Sequence, residues 1–222
     1  MWPFFLHKIM EFLAEEIENY CLDHTEKEPY LLAELNRETY ANVMTPRMLS
    51  GHLQGRVLSM FSKMIKPNNI IEIGTYTGYS ALCMAEGLNT KGKLHTLDIN
   101  EEYASIASRY FNRSRYSYNI KQYIGNALNI IPTLTSNFQL AFIDADKENY
   151  STYFDLIVDK IDLEGYIIAD NVLWSGKVTN EEKDKETKAL DFYNKKVLAD
   201  PRVETILLPI RDGLMISRKV KN

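Results

Sequence analysis

Cysteine is scarce: Cys21 and Cys83 are the only two in 222 residues, and neither sits in a CxxC or Cys/His spacing. That excludes a disulfide framework and a cysteine-based zinc site, and makes a reducing cytoplasmic compartment the expectation. Long apolar runs are missing too. No stretch reaches the roughly 18 apolar residues that a membrane-spanning helix needs. The first ten residues are apolar, but they lack a basic leading region and a small-residue cleavage site, and Glu11, Glu15 and Glu16 follow. Neither a secretion signal nor a membrane partner is therefore expected. There is no cationic excess: the formal net charge is −4. A nucleic-acid partner, which usually leaves a basic footprint, is disfavoured. Internal repeats and low-complexity tracts are also absent.

What is present is ordinary globular composition, 45% hydrophobic and 25% charged. The length suits a single domain, 1–222, with a core that needs no disulfide or structural metal. Apolar residues at Phe5, Ile9, Phe12, Leu13, Ile17 and Tyr20 recur at helical spacing. They predict an amphipathic helix packed on its own domain or on a dimer partner. Further helices are predicted over 30–40 and 54–65, with a segment starting at Thr45-Pro46, so that 1–66 reads as a helical cover. After Pro67 the pattern changes. Strands predicted at 70–74, 93–98, 120–124, 138–144 and 164–170 alternate with helices near 78–88, 101–114, 126–135 and 148–160, which describes a parallel α/β sheet over 67–222. A helix over 181–198 and strands at 203–208 and 214–217 follow. The link between these two strands is too short for a parallel crossover, so they must pair antiparallel.

Three strand ends carry the chemistry: residues 70–80 (Ile-Ile-Glu-Ile-Gly-Thr-Tyr-Thr-Gly-Tyr-Ser), 142–147 (Phe-Ile-Asp-Ala-Asp-Lys) and 167–171 (Ile-Ile-Ala-Asp-Asn). Each is an apolar run ending in polar or glycine residues, as expected of a buried parallel strand that opens into a crevice. In the first, Tyr76 and Tyr79 occupy positions where a dinucleotide fingerprint requires glycine. Gly74 and Gly78 still permit a sharp strand-to-helix turn under a ligand. Asp98, 24 residues after Gly74, ends the second strand where a carboxylate can accept hydrogen bonds from ribose hydroxyls. Together with Glu72 it indicates an adenosine-type ligand. Asp144, Asp146, Asp170 and Asn171 offer oxygen donors suited to a hard divalent cation, and without His or Cys among them zinc is disfavoured. The alternative use of these residues is helix capping and turn formation.

These motifs, with Met-Leu-Ser-Gly-His-Leu-Gln-Gly at 48–55 and Asp-Asn-Val-Leu-Trp at 170–174, resemble the cation-dependent O-methyltransferases, the group of catechol and caffeoyl-CoA O-methyltransferases, most of all the bacterial members. The resemblance covers 28–219. It implies a Rossmann-like class I methyltransferase fold, with a seven-stranded, mostly parallel sheet, an antiparallel C-terminal hairpin and helices on both faces. By the same resemblance Asp144, Asp170 and Asn171 hold the cation, Mg²⁺ first, with Mn²⁺ or Ca²⁺ as alternatives. Glu72, Gly74, Ser80, Asp98 and Ala127 would line an S-adenosylmethionine site, with Asp98 on the ribose and Ser80 near the methionine carboxylate. Met44 and Thr45 match a segment that closes over the cofactor, and Asp144 and Asp146 would lie beside it. Lys147 aligns with a general base, and Trp174 with a tryptophan packed near an aromatic acceptor. A homodimer is implied as well. The chain departs from its plant relatives at Ser175, at Arg211 and through 175–188, the parts that bear on acceptor identity.

The expected activity is methyl transfer to a hydroxyl of a small catechol-like or hydroxycinnamoyl-type aromatic. Two other readings stand beside it. Arg109, Arg113, Arg115 and Lys121 interleave with Tyr110, Tyr116, Tyr118 and Tyr123, a combination that can hold and stack nucleic acid. A protein that binds S-adenosylmethionine without catalysis is the other.

Overall fold

The alternating segments form seven strands in the computed structural model, which describes residues 14–222. They are β1 (Asn69–Ile73), β2 (Lys93–Asp98), β3 (Ile120–Ile124), β4 (Phe138–Ile143), β5 (Ile161–Ala169), β6 (Val203–Leu208) and β7 (Leu214–Lys219). One sheet results, in the order β3-β2-β1-β4-β5-β7-β6. The first five strands run parallel, whereas β7 pairs antiparallel with both β5 and β6. From β1 the chain first builds outward to β3 and then returns to start β4 on the other side, so the switch point lies between the ends of β1 and β4. In open α/β sheets that is where ligands bind.

Period-two alternation sorts the strands' side chains between two cores. Ile71, Ile73, Ala141, Ile143, Ile167 and Ala169 face one layer, built on α7 (Tyr150–Val158) and α8 (Lys185–Ala199). Ile70, Leu140, Phe142 and Ile168 face the other, built on α2 (Tyr30–Asn42), α3 (Gly51–Ile65), α4 (Tyr79–Ala85) and α5 (Glu101–Arg113). Backbone hydrogen bonds continue past the strand ends: Gly74 N–H donates to Leu97, Asp144 N–H to Ile73 and Asp170 N–H to Ile143, at 2.9, 2.8 and 2.9 Å. The motif residues are thus fixed by the same ladder that holds the sheet.

Several boundaries differ from the sequence expectation. Of the helix expected over 5–20, residues 5–13 lie outside the described residues, and α1 spans Glu15–Asp23. The helix expected over 126–135 is a four-residue α6 (Ala127–Ile130) followed by a 3₁₀ turn at Ile131–Thr133, because Pro132 lacks the N–H that would continue the α ladder. Asp184, whose carboxylate accepts from Thr187 N–H at 2.8 Å, caps α8, so that helix starts at Lys185 rather than 181. β5 begins three residues early. A register shift against β4 accommodates Glu164, whose φ is +67°, within the strand. No helix among the described residues is long and apolar enough to cross a membrane.

Candidate active site

A cavity of about 700 Å³ opens at the switch point. Of the residues singled out from the sequence, Gly74, Asp98, Ala127, Asp144, Asp146, Lys147, Asp170, Asn171 and Trp174 line it. Ser80 lines a small adjoining hollow that shares Gly74 and Asp144 with the cavity. Four others stand apart from both. Glu72 is fully buried beneath the floor. Gly78 ends the turn into α4 with φ +91°, and a Cβ there would meet the Phe111 ring at 2.7 Å. Met44 is 97% exposed, and Thr45 uses its carbonyl to accept from the Tyr76 hydroxyl at 3.0 Å.

Gly74 is required by close approach. Its φ is +103°, and a Cβ would lie 1.9 Å from the Asp144 carbonyl oxygen, so only glycine lets the β1 end pass against the β4 end. Asp98 accepts from the backbone N–H groups of Tyr76 at 2.7 Å and Asn100 at 2.9 Å, which aims its carboxylate along the β1 turn. Capping of α5, the competing use for Asp98, falls to Asn100, which accepts from the Glu102 and Tyr103 N–H groups. Tyr76 and Tyr103 pack edge to face, with centroids 4.9 Å apart, on the same wall. Sequence reading missed Tyr76, Asn100, Tyr103 and Asn126. Two of them had a local signal, since Asn100 and Asn126 each closely follow a strand end.

Beneath this wall Glu72 accepts from Ser80 Oγ at 2.6 Å and Thr96 Oγ1 at 2.5 Å. Burial pushes its carboxyl up to about 8, against the opposing pull of those two hydroxyls. Ser80 therefore connects the hollow to a buried acid.

At the opposite end the β4 and β5 motifs meet. Lys147, 8% exposed, donates to Asp144 Oδ1 and Asn171 Oδ1, both at 3.0 Å, and to the Tyr150 hydroxyl at 2.6 Å. Its ammonium lies 4.8 Å from the Tyr150 ring centroid and 5.7 Å from that of Trp174. Tyr150 in turn donates to the Asp170 carbonyl at 3.0 Å. The Asp170 side chain is nearly sealed: one oxygen accepts from Asn171 N–H at 2.7 Å and the other from Gln54 Nε2 at 2.5 Å. Burial first, and then the neighbouring Asp144 carboxylate, push Asp170 upward from the ordinary carboxylate range. Asp146 faces the cavity while accepting from Asn149 and from the Tyr153 hydroxyl. The loop after β5 is conformationally unusual, with Asn171, Trp174 and Ser175 all at positive φ.

The donor chemistry fits a hard cation. No cluster of three His, Cys, Asp or Glu side chains with metal geometry occurs among the described residues. Instead there are two carboxylates and an amide, in which oxygens of Asp144 and Asn171 already converge on a single positive nitrogen. Beyond burial, the Asp144 carboxylate pushes Asp170 upward, and a divalent ion would relieve that repulsion.

The basic, tyrosine-rich stretch is differently engaged. Arg109 and Arg113 pair with Glu38 and Glu34 on α2, and Arg115 and Lys121 lie over the rings of Tyr116 and Tyr123.

Comparison with known proteins identifies the family. An O-methyltransferase family model matches residues 22–220. A caffeoyl-CoA O-methyltransferase of Mesembryanthemum crystallinum is 34% identical over 207 residues, covering 87% of this chain and 81% of that protein. Among solved structures, a methyltransferase of Podospora anserina with bound S-adenosylhomocysteine matches with a TM-score of 0.87 at 28% identity, over 99% of this chain and 98% of that one. An O-methyltransferase of Bacillus cereus, also with S-adenosylhomocysteine, gives 0.85 at 27% identity over 92% and 97%. With the seven-stranded sheet in place and the motif residues around one cavity, the chain belongs to the S-adenosylmethionine-dependent O-methyltransferase family that its motifs resemble.

Proposed function

We propose that the protein transfers a methyl group from S-adenosylmethionine to one hydroxyl of a small vicinal-dihydroxy aromatic, with a divalent cation at Asp144, Asp170 and Asn171. The observation that carries this reading is the convergence of Asp144 Oδ1 and Asn171 Oδ1 on Lys147 Nζ, at 3.0 Å each, beside the buried Asp170 carboxylate. The caffeoyl-CoA relatives support a catechol-like or hydroxycinnamoyl acceptor.

When bound, S-adenosylmethionine would supply a methyl carbon made electrophilic by its sulfonium, and a divalent cation held by Asp144, Asp170 and Asn171 would supply Lewis acidity. Asp98 would receive the ribose hydroxyls, and Gly74 lets the β1 and β4 ends close together at the floor of the cavity. Lys147 would act as the general base, taking the proton of the reacting hydroxyl at Nζ. The oxygen then forms its bond to the methyl carbon as the carbon–sulfur bond breaks, leaving its electron pair on sulfur. Trp174 provides an apolar face for the aromatic ring. Holding the reacting atoms about 3 Å apart converts an encounter into a unimolecular step.

The test is labelled-methyl transfer to catechols and hydroxycinnamoyl esters, with Mg²⁺ or with chelator. Transfer that disappears with chelator is expected. Transfer that persists refutes the cation's role, and none on any acceptor refutes the acceptor class.

A further inference from the structure

Arg211 stands in the turn between β6 and β7 with a φ of +49°, left-handed backbone that a non-glycine residue seldom adopts. Such geometry persists where surrounding contacts hold it, and here they converge on one nitrogen. Nη1 donates to the carbonyls of Leu49, at 3.2 Å, and Ser50, and to Gln54 Oε1 at 2.8 Å. Gln54 is 1% exposed and donates its Nε2 to Asp170 Oδ2 at 2.5 Å.

The direction of this relay is forced by chemistry. A guanidinium only donates, so it must face the amide oxygen, and a carboxylate only accepts, so it must face the amide nitrogen. With Arg211 in place the Gln54 amide has one orientation. Without it the amide could turn its oxygen toward Asp170, setting lone pairs against a carboxylate that is almost completely buried. Three separated segments are joined in this way: the 44–50 segment, α3 and the β5 end.

We propose that Arg211 and Gln54 are positioning residues for the cation site: Arg211 fixes the Gln54 amide, and that amide aims the Asp170 carboxylate. This rests on the cation reading above and assigns two residues to it that supply no ligand atom. Partners that orient a metal's ligands typically change metal affinity about 10- to 100-fold when removed.

The test is Mn²⁺ binding to the full chain without acceptor, followed by the paramagnetic resonance signal of free Mn²⁺, alongside thermal unfolding. Arg211→Ala is expected to weaken Mn²⁺ about tenfold or more. Arg211→Lys, which returns a donor to Gln54 Oε1, should recover much of it. Gln54→Met keeps the volume but removes the donor to Asp170, so it should weaken Mn²⁺ likewise; it serves as the readout if Arg211→Ala does not fold. Unchanged Mn²⁺ affinity in the folded variants, with only the melting temperature lowered, overturns the relay and leaves the cation reading intact. If the unaltered protein binds no Mn²⁺, both fall.

Discussion

Lys147 has three hydrogen-bond partners and two aromatic neighbours. A lysine so enclosed is held in one place, which a proton acceptor needs and a solvated surface lysine lacks. Lys147→Ala should therefore lower kcat by about 10²- to 10⁴-fold, the usual range for a lost general base. Lys147 follows β4, two strands along the sheet from the β2 end that carries Asp98, so S-adenosylhomocysteine affinity, measured by calorimetry, is expected to change little. Turnover equal to that of the unaltered protein would remove Lys147 from the reaction. Gly74 has the opposite character, since what matters there is an atom it lacks. A Cβ 1.9 Å from the Asp144 carbonyl would force the β1 and β4 ends apart. Gly74→Ala is expected to cost about 3 kcal/mol or more in stability. It should also abolish S-adenosylhomocysteine binding at a temperature where the variant is still folded. Near-normal affinity would show that the strand ends yield more readily than their ladder suggests.

At the scale of elements, the packing of α3 on α4 is organised by one carboxylate. Glu86 accepts from the two terminal Arg56 nitrogens Nη1 and Nη2, from Ser59 Oγ and from Lys63 Nζ, and these partners outweigh burial and hold its carboxyl at about 2. Arg56 and Glu86 side chains are only 12% and 11% exposed. Glu86→Ala would leave a buried guanidinium unpaired, so a loss of about 3 kcal/mol in urea unfolding is expected. Arg113→Ala breaks the exposed pair with Glu34 and should change the midpoint little. Equal effects would mean that burial does not decide the outcome.

The elements also mark what could be read from the chain. Buried parallel strands reveal themselves as apolar runs, and the polar residues that end them, such as Asp144 and Asp170, point to a site because several such ends occur in one domain, where capping or turn formation would explain each one singly. Asp98 was legible for the same reason. Arg211 and Gln54 were not, since 157 positions separate them and nothing local tells an arginine in a turn that its acceptor is a glutamine on a distant helix. Met44 and Thr45, which the resemblance implies belong to a segment closing over the cofactor, lie outside the cavity lining, with Met44 97% exposed.

On the scale of the whole molecule, the sheet carries an acid on the face it otherwise gives to Ile70, Leu140, Phe142 and Ile168. Glu72 is fully buried, with two hydroxyl partners and no cation, and burial lifts its carboxyl from 4.5 to about 8. That shift couples global stability to pH. Below 4.5 the group is protonated whether the chain is folded or not. As pH rises from 4.5 toward about 8, the unfolded chain releases this proton while the folded chain keeps it, so stability falls across that window and levels off above it. At about 1.4 kcal/mol per unit, the loss between roughly pH 5.5 and 8 is on the order of 3 kcal/mol. Glu72→Gln preserves shape, keeps one acceptor and offers a donor in place of the other, as the protonated acid does, but has nothing to titrate, so urea unfolding of the cofactor-free variant should lack this component and exceed the unaltered protein in stability at about pH 8. Other groups titrate in both proteins, and their contributions cancel in the difference. Parallel pH profiles for the two proteins would mean that Glu72 ionises within the fold near its ordinary value, and that its surroundings solvate the charge as well as water does.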